Sequence, residues 1–117
     1  MKKSTYLEVG IDINDLVPAR AIHPGEVLRD ELKSRRITQK RFSEMTGILP
    51  SQINEVIKEK RGISADNALK IGKALKMDAI LWAKFQMFYE LDLAIIKQKH
   101  ENSKFIKKRK KSILSNH

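Results

Sequence analysis

The chain has no cysteine, which excludes disulfides and thiolate metal sites and fits a reducing compartment, the cytoplasm. It has no run of about 18 uncharged apolar residues, so no membrane span is expected. Lys2 and Lys3 are followed by no continuous apolar stretch, so no secretory signal is expected either. Histidines are scarce: His23, His100 and His117 lie far apart without ligand spacing, and no metal is expected. No Ser-His-acid order, phosphate-cradling glycine loop or close carboxylate pair stands out, so neither an enzyme nor a cofactor is expected. Aromatics make up only 6%, leaving Trp82 and four Phe as large fillers for one modest core.

Acidic residues are also in deficit, with 14 Asp and Glu against 24 Lys and Arg, for a net charge of +10 over 117 residues. Half of that excess sits in residues 101–117, "ENSKFIKKRKKSILSNH". A solvated, disordered tail and an attraction to a polyanion, most often nucleic acid, both explain it.

Near the start, "TYLEVGIDIN" alternates strictly. Leu7, Val9, Ile11 and Ile13 fall on one side and Glu8, Gly10, Asp12 and Asn14 on the other. That is the period of a half-buried strand, placed at 6–13. No second strand pattern follows, so this one must pair with another chain or stay loose. After a linker broken at Pro18 the pattern turns helical. Helices are expected at about 24–35, 39–46, 50–60, 65–76 and 78–99. Their inward residues are Val27, Leu28 and Leu32, then Phe42, then Ile53, Val56 and Ile57, then Ala68, Leu69, Ile71 and Leu75. Thr38 and Asp78 are N-caps, Pro24 and Pro50 fall in first turns, and Gly47 ends the second helix. The expected organisation is an N-terminal extension 1–22, an all-α domain 23–100 of five helices, and a basic tail 101–117, disordered or a frayed extension.

The second and third helices, joined through Gly47-Ile48-Leu49, have the spacing of a helix-turn-helix. On the third, the polar residues Ser51, Gln52, Asn54 and Glu55 lie away from the aliphatic stripe. Gln and Asn bond both edges of adenine, Ser bonds either partner, and Glu accepts from cytosine. With Pro50 at the helix start these are the expected base-reading residues. Gln39, Lys40, Arg41, Lys58, Lys60 and Arg61 stand around them to grip phosphates. The competing reading is the solvated face of an ordinary amphipathic helix. The fifth helix is apolar on more than one face. Trp82, Phe85, Phe88, Tyr89 and Leu91 are the expected contacts of a homodimer.

From His23 onward, "HPGEVLRDEL", "TQKRFSEMTGI", "INEVIKEKRGISADNALKIGKAL" and "WAKFQMFYEL" resemble the HigA (VapI-type) antitoxins. These belong to the XRE, or lambda-repressor-like, helix-turn-helix family. The resemblance covers about 23–93. It implies a dimeric lambda-repressor-like domain that binds the operator of its own toxin–antitoxin operon as an autorepressor. It also implies a partner, HigB, a RelE-like mRNA endonuclease that the antitoxin neutralises. Carried onto this chain, Thr38 and Gln39 open the supporting helix and anchor a phosphate, Pro50, Ser51, Gln52, Asn54 and Glu55 face bases, and Lys60 and Arg61 lie near the backbone. The sequence departs from the pattern at Pro50 and Gln52, where relatives often carry Arg, at Glu59, where Gly is usual, and at Thr46, which replaces an aliphatic. In such a system Leu7, Val9, Ile11 and Ile13 would add a strand to the toxin's sheet; exchange within the dimer is the alternative. A free-standing XRE regulator without a toxin remains the second functional reading, and an RNA- or ribosome-associated basic protein the third.

Overall fold

Three of the first four helices begin where a side chain stands in for the missing preceding turn. The computed structural model describes residues 18–115, with side chains as far as Ser103; the strand expected at 6–13 lies outside them. Helix α1 runs Pro24–Ser34, α2 Gln39–Thr46, α3 Pro50–Ile57, α4 Ala65–Leu75 and α5 Ala79–Ser115. No strand occurs among the described residues. His23 Nδ1 accepts from the Gly25 N–H at 2.8 Å, Thr38 Oγ1 from Arg41 and Ser64 Oγ from Asn67, each at 3.1 Å. At the head of α5, Asp78 Oδ1 accepts from the Ile80 N–H at 2.9 Å. Each bond satisfies an amide that has no partner inside its own helix.

The far ends are closed by left-handed residues. Gly47 ends α2 with φ 76°, as the sequence suggests. The other three positions are not glycine: Arg36, Glu59 and Lys76 hold φ of 57°, 62° and 55°. After α1, Arg36 N–H bonds Lys33 O and Ile37 N–H bonds Leu32 O. After α3, Glu59 N–H bonds Val56 O and Lys60 N–H bonds Glu55 O. Both are the paired closure in which one left-handed residue satisfies the last carbonyls. α3 therefore stops at Ile57 rather than near residue 60, and α4 stops one residue short of Lys76. Without glycine at these positions the sequence carries no visible stop signal.

Residues 21–90 form one compact unit. Its core is Leu28 and Leu32 from α1, Phe42 from α2, Ile48 from the turn, Ile53 and Val56 from α3, Ile63, Ala68, Ile71 and Leu75 around α4, and Trp82 from α5. Leu69, expected inward, is 64% exposed; it lies more than a quarter of a turn off the Ala68–Ile71–Leu75 stripe, enough to leave it in solvent. Arg35 closes the other end of the unit. Its Nη1 donates to Leu75 O at 2.8 Å, while its Nε meets Glu31 at 3.0 Å. A cation thus sits on the carbonyl end of α4.

The stretch of α5 beyond Leu91, taken by itself, is helical to Ser115, well past the expected end near Lys99. Neither Gly nor Pro occurs after Gly72, and Lys, Leu, Ile and Gln are good or neutral helix formers. Of the two readings of the tail, disorder or an extension of the helix, the backbone takes the second, helical through Ser115.

The tightest joint is between α1 and α3. A Cβ added to Gly25 would fall inside the van der Waals surface of the Val56 carbonyl and also crowd His23 Nδ1. His23 is buried, and its ring meets Tyr89 edge-on at 4.7 Å. Burial holds its imidazole below the usual histidine range, with the Glu59 carboxylate pulling weakly the other way. The neutral ring keeps Nδ1 free to accept. Gly25→Ala should lower stability by about 3 kcal/mol, measured by urea unfolding. In an uncrowded helix the same change would be favourable by up to about 1 kcal/mol, so a neutral or stabilising result would show the joint to be looser than described.

Candidate nucleic-acid interface

The turn between α2 and α3 is fastened by hydroxyls. Thr46 Oγ1 donates back to Phe42 O at 2.8 Å and accepts from the Ile48 N–H at 3.1 Å, while Ser43 Oγ donates to Ile48 O. The departure at Thr46 thus supplies a turn-locking hydroxyl, a habit of Thr at helix ends. Ile48 is buried beneath the turn, while Leu49 is 60% exposed beside Pro50. α3 starts at Leu49 with no side-chain cap, unlike α1, α2 and α4.

Ile53 and Val56 anchor α3 inward, and Ile57 packs partly against the core. Pro50 and Ser51 are exposed, and Gln52, Asn54 and Glu55 are half-buried. The expected reading residues therefore share one accessible side of the helix start, but two are already engaged. Asn54 Nδ2 donates to Gln39 Oε1 at 3.2 Å, bridging the first residue of α2 to the middle of α3. Valence leaves Gln39 its amide hydrogens and Asn54 its carbonyl oxygen for a ligand. Glu55 accepts from Arg61 Nε at 2.7 Å, so the carboxylate and one expected phosphate-binding cation neutralise each other. Neither pairing is visible in sequence, because 15 residues separate the first pair and six the second.

The surrounding cations divide similarly. Lys40, Lys58 and Lys60 are exposed and make no ion pair among the described residues, whereas Arg41 meets Glu44 at 3.3 Å. Thr38 Oγ1 is committed to its cap. The early end of α3 puts Lys58, Lys60 and Arg61 on the loop after the helix. Gln86, a residue with no sequence signal, holds that loop: its Oε1 accepts from the Ile63 N–H at 2.8 Å beneath Gly62.

The expected dimer residues separate by burial. Trp82 is fully buried in the core, which takes it off any surface. Phe85 meets it edge-on at 5.3 Å and Tyr89 leans on His23, so both face inward. Phe88 and Leu91 are about half exposed. The uncovered apolar surface also includes Leu69, Ile80 and Met87, beside an open groove of about 220 Å³ lined by Ala65, Ala68, Leu69, Ala79, Ile80 and Ala83.

Comparison with known proteins places this geometry. Residues 28–81 match a family described as helix-turn-helix. Virulence-associated protein I of Dichelobacter nodosus is 41% identical over 75 residues, spanning 63% of this chain and 69% of that protein. Among solved structures, a Nostoc punctiforme protein described as an antidote protein of a plasmid maintenance system is 36% identical. It superposes with a TM-score of 0.69, over 75% of this chain and 97% of its own. The Pseudomonas aeruginosa antitoxin HigA, solved with the higBA promoter, is 34% identical with a TM-score of 0.65, over 70% of this chain and 90% of its own. The chain belongs to the virulence-associated protein I and HigA group of XRE-type helix-turn-helix proteins.

Glu59 at the end of α3 gives a test of the local account. A left-handed non-glycine residue costs about 1 kcal/mol or more, so Glu59→Gly should raise stability by roughly 0.5–1 kcal/mol in urea titration. A loss would mean that the Glu59 side chain contributes more than its backbone costs.

Proposed function

We propose that this protein is an antitoxin: a homodimeric, sequence-specific repressor of its own operon that also binds and neutralises a RelE-like mRNA-endonuclease toxin in the cytoplasm. The observation that carries the DNA-binding half is the exposed start of α3, tied to α2 by the Gln39–Asn54 bond. Pro50, Ser51, Gln52 and Asn54 read base edges. Glu55 reads cytosine only once Arg61 has moved to a phosphate. Lys40, Lys58 and Lys60, with Thr38, Gln39 and Arg41, hold the phosphates on either side. The promoter-bound P. aeruginosa HigA supports this assignment.

The uncovered apolar side of the domain, Leu69, Ile80, Met87 and Phe88, takes the second protomer. Three of these replace the inward-facing Trp82, Phe85 and Tyr89 as dimer contacts, while Leu91 stays with Phe88. Two-fold symmetry then sets two copies of α3 about 34 Å apart, one DNA turn, on an inverted repeat.

A gel shift on the promoter of the protein's own operon, beside a scrambled duplex of equal length, tests the repressor. Gln52→Ala and Asn54→Ala should each relax preference at one or two base pairs, by about 1–3 kcal/mol. Equal binding to promoter and scrambled duplex would sink sequence-specific reading. For the toxin, the contact proposed is Leu7, Val9, Ile11 and Ile13. A small basic RelE-like protein encoded in the same operon is what this reading requires, and its co-purification should succeed with the full chain and fail when residues 1–16 are deleted. Unchanged capture by the truncated chain would remove the strand from the toxin contact.

A further inference from the structure

We infer that residues 97–111 form a second, sequence-independent contact for the phosphate backbone of duplex DNA; the choice of DNA rests on the repressor reading above. The helix is unbroken to Ser115, and from Lys97 to Ser115 it holds eight Lys and Arg against one acid, Glu101. At 100° per residue, Lys97, His100, Lys104, Lys107, Lys108 and Lys111 fall on one side of it. Positions 95, 102, 106 and 113 fall opposite, with Lys99, Arg109 and Lys110 on the same half, and Glu101 falls at the edge of the basic side. With a rise of 1.5 Å per residue, that basic line is about 21 Å long, the length of roughly six base pairs of duplex.

A flexible tail of the same composition would attract polyanions without direction. A helix with five of its eight cations along one side presents a row, and a row matches a backbone that carries a charge at every step. Other polyanionic partners fit the composition less well. Helices that lie on membranes carry a continuous apolar face rich in Trp, Phe and Leu; here that side is interrupted by Asn102 and Lys99, and no Trp occurs after Trp82. Single-stranded RNA is held largely by aromatic stacking, and Phe105 is the one aromatic between 97 and 115.

The test uses the full chain and a variant carrying K104Q, K107Q, K108Q and K111Q, with arginine at the same four positions as the charge-retaining control. Binding is followed by fluorescence anisotropy on the promoter duplex and on a scrambled duplex, between about 50 and 200 mM salt. Each lost phosphate contact reduces the slope of log K against log salt by about 0.9. The glutamine variant should therefore show a slope shallower by about 2–4 on both duplexes, with its promoter preference intact. The arginine variant should keep the full slope. An unchanged slope in the glutamine variant overturns the inference, as does a loss confined to the promoter. So does a loss seen only with single-stranded RNA or with phosphatidylserine vesicles. If the full chain binds both duplexes equally and the slope still falls, sequence-specific reading fails while the backbone contact stands.

Discussion

The close approach of Gly25 to the Val56 carbonyl governs the rest of the domain. It lets the first turn of α1 press onto the last turn of α3 with no side chain between them. His23 is carried inward by that approach, caps α1 and meets Tyr89. With α3 pinned at its C-terminal end by backbone and along its inner side by Ile53 and Val56, its starting turn is left facing outward. The polar edge is thus a by-product of where the helix is held. A site built on so rigid an element keeps its geometry before any ligand arrives.

That edge is less free than its composition implies. Asn54 is tied to Gln39 and Glu55 to Arg61, so two of its polar groups arrive already paired. The first pairing fixes an orientation and leaves one donor group and one acceptor spare, which favours a definite hydrogen-bond pattern. The second stores an acid and a base as a neutral couple. Half-exposed pairs of this kind are worth little in water, so a phosphate competes readily for the arginine. Together they give the polar edge one pair that bridges two helices and one that neutralises itself.

Much of this architecture was legible in the sequence, for physical reasons that differ by element. The starts of α1, α2, α3 and α5 were announced by Pro24, Thr38, Pro50 and Asp78, because the chemistry of a helix's first turn is local. Phe42, Ile53, Val56 and Trp82 declared themselves as core by size and periodicity, although Trp82 was also assigned to a surface it does not reach. The end of α3 was not legible, since Glu59 adopts a backbone conformation that its side chain disfavours, while α4 ended within one residue of its expected place. Leu69 failed because hydrophobicity alone cannot show which of two neighbouring positions the core covers. The tail was left open between disorder and an extension of the helix: its charge allowed the first, while the lack of any breaker after Gly72 allowed the helix to run on. The side-chain pairs within the site join separate turns or elements, and no pattern along the chain marks them.

Trp82 carries one more consequence. It is the single indole of the chain and fully buried, beside Phe85 and on the inner side of α5. Its fluorescence therefore comes from the middle of the packed unit, while the polar edge of α3 contains no aromatic residue of its own. The molecule has an internal optical gauge that follows the integrity of its core. Folding can thus be followed in an unlabelled sample by the emission of Trp82 alone.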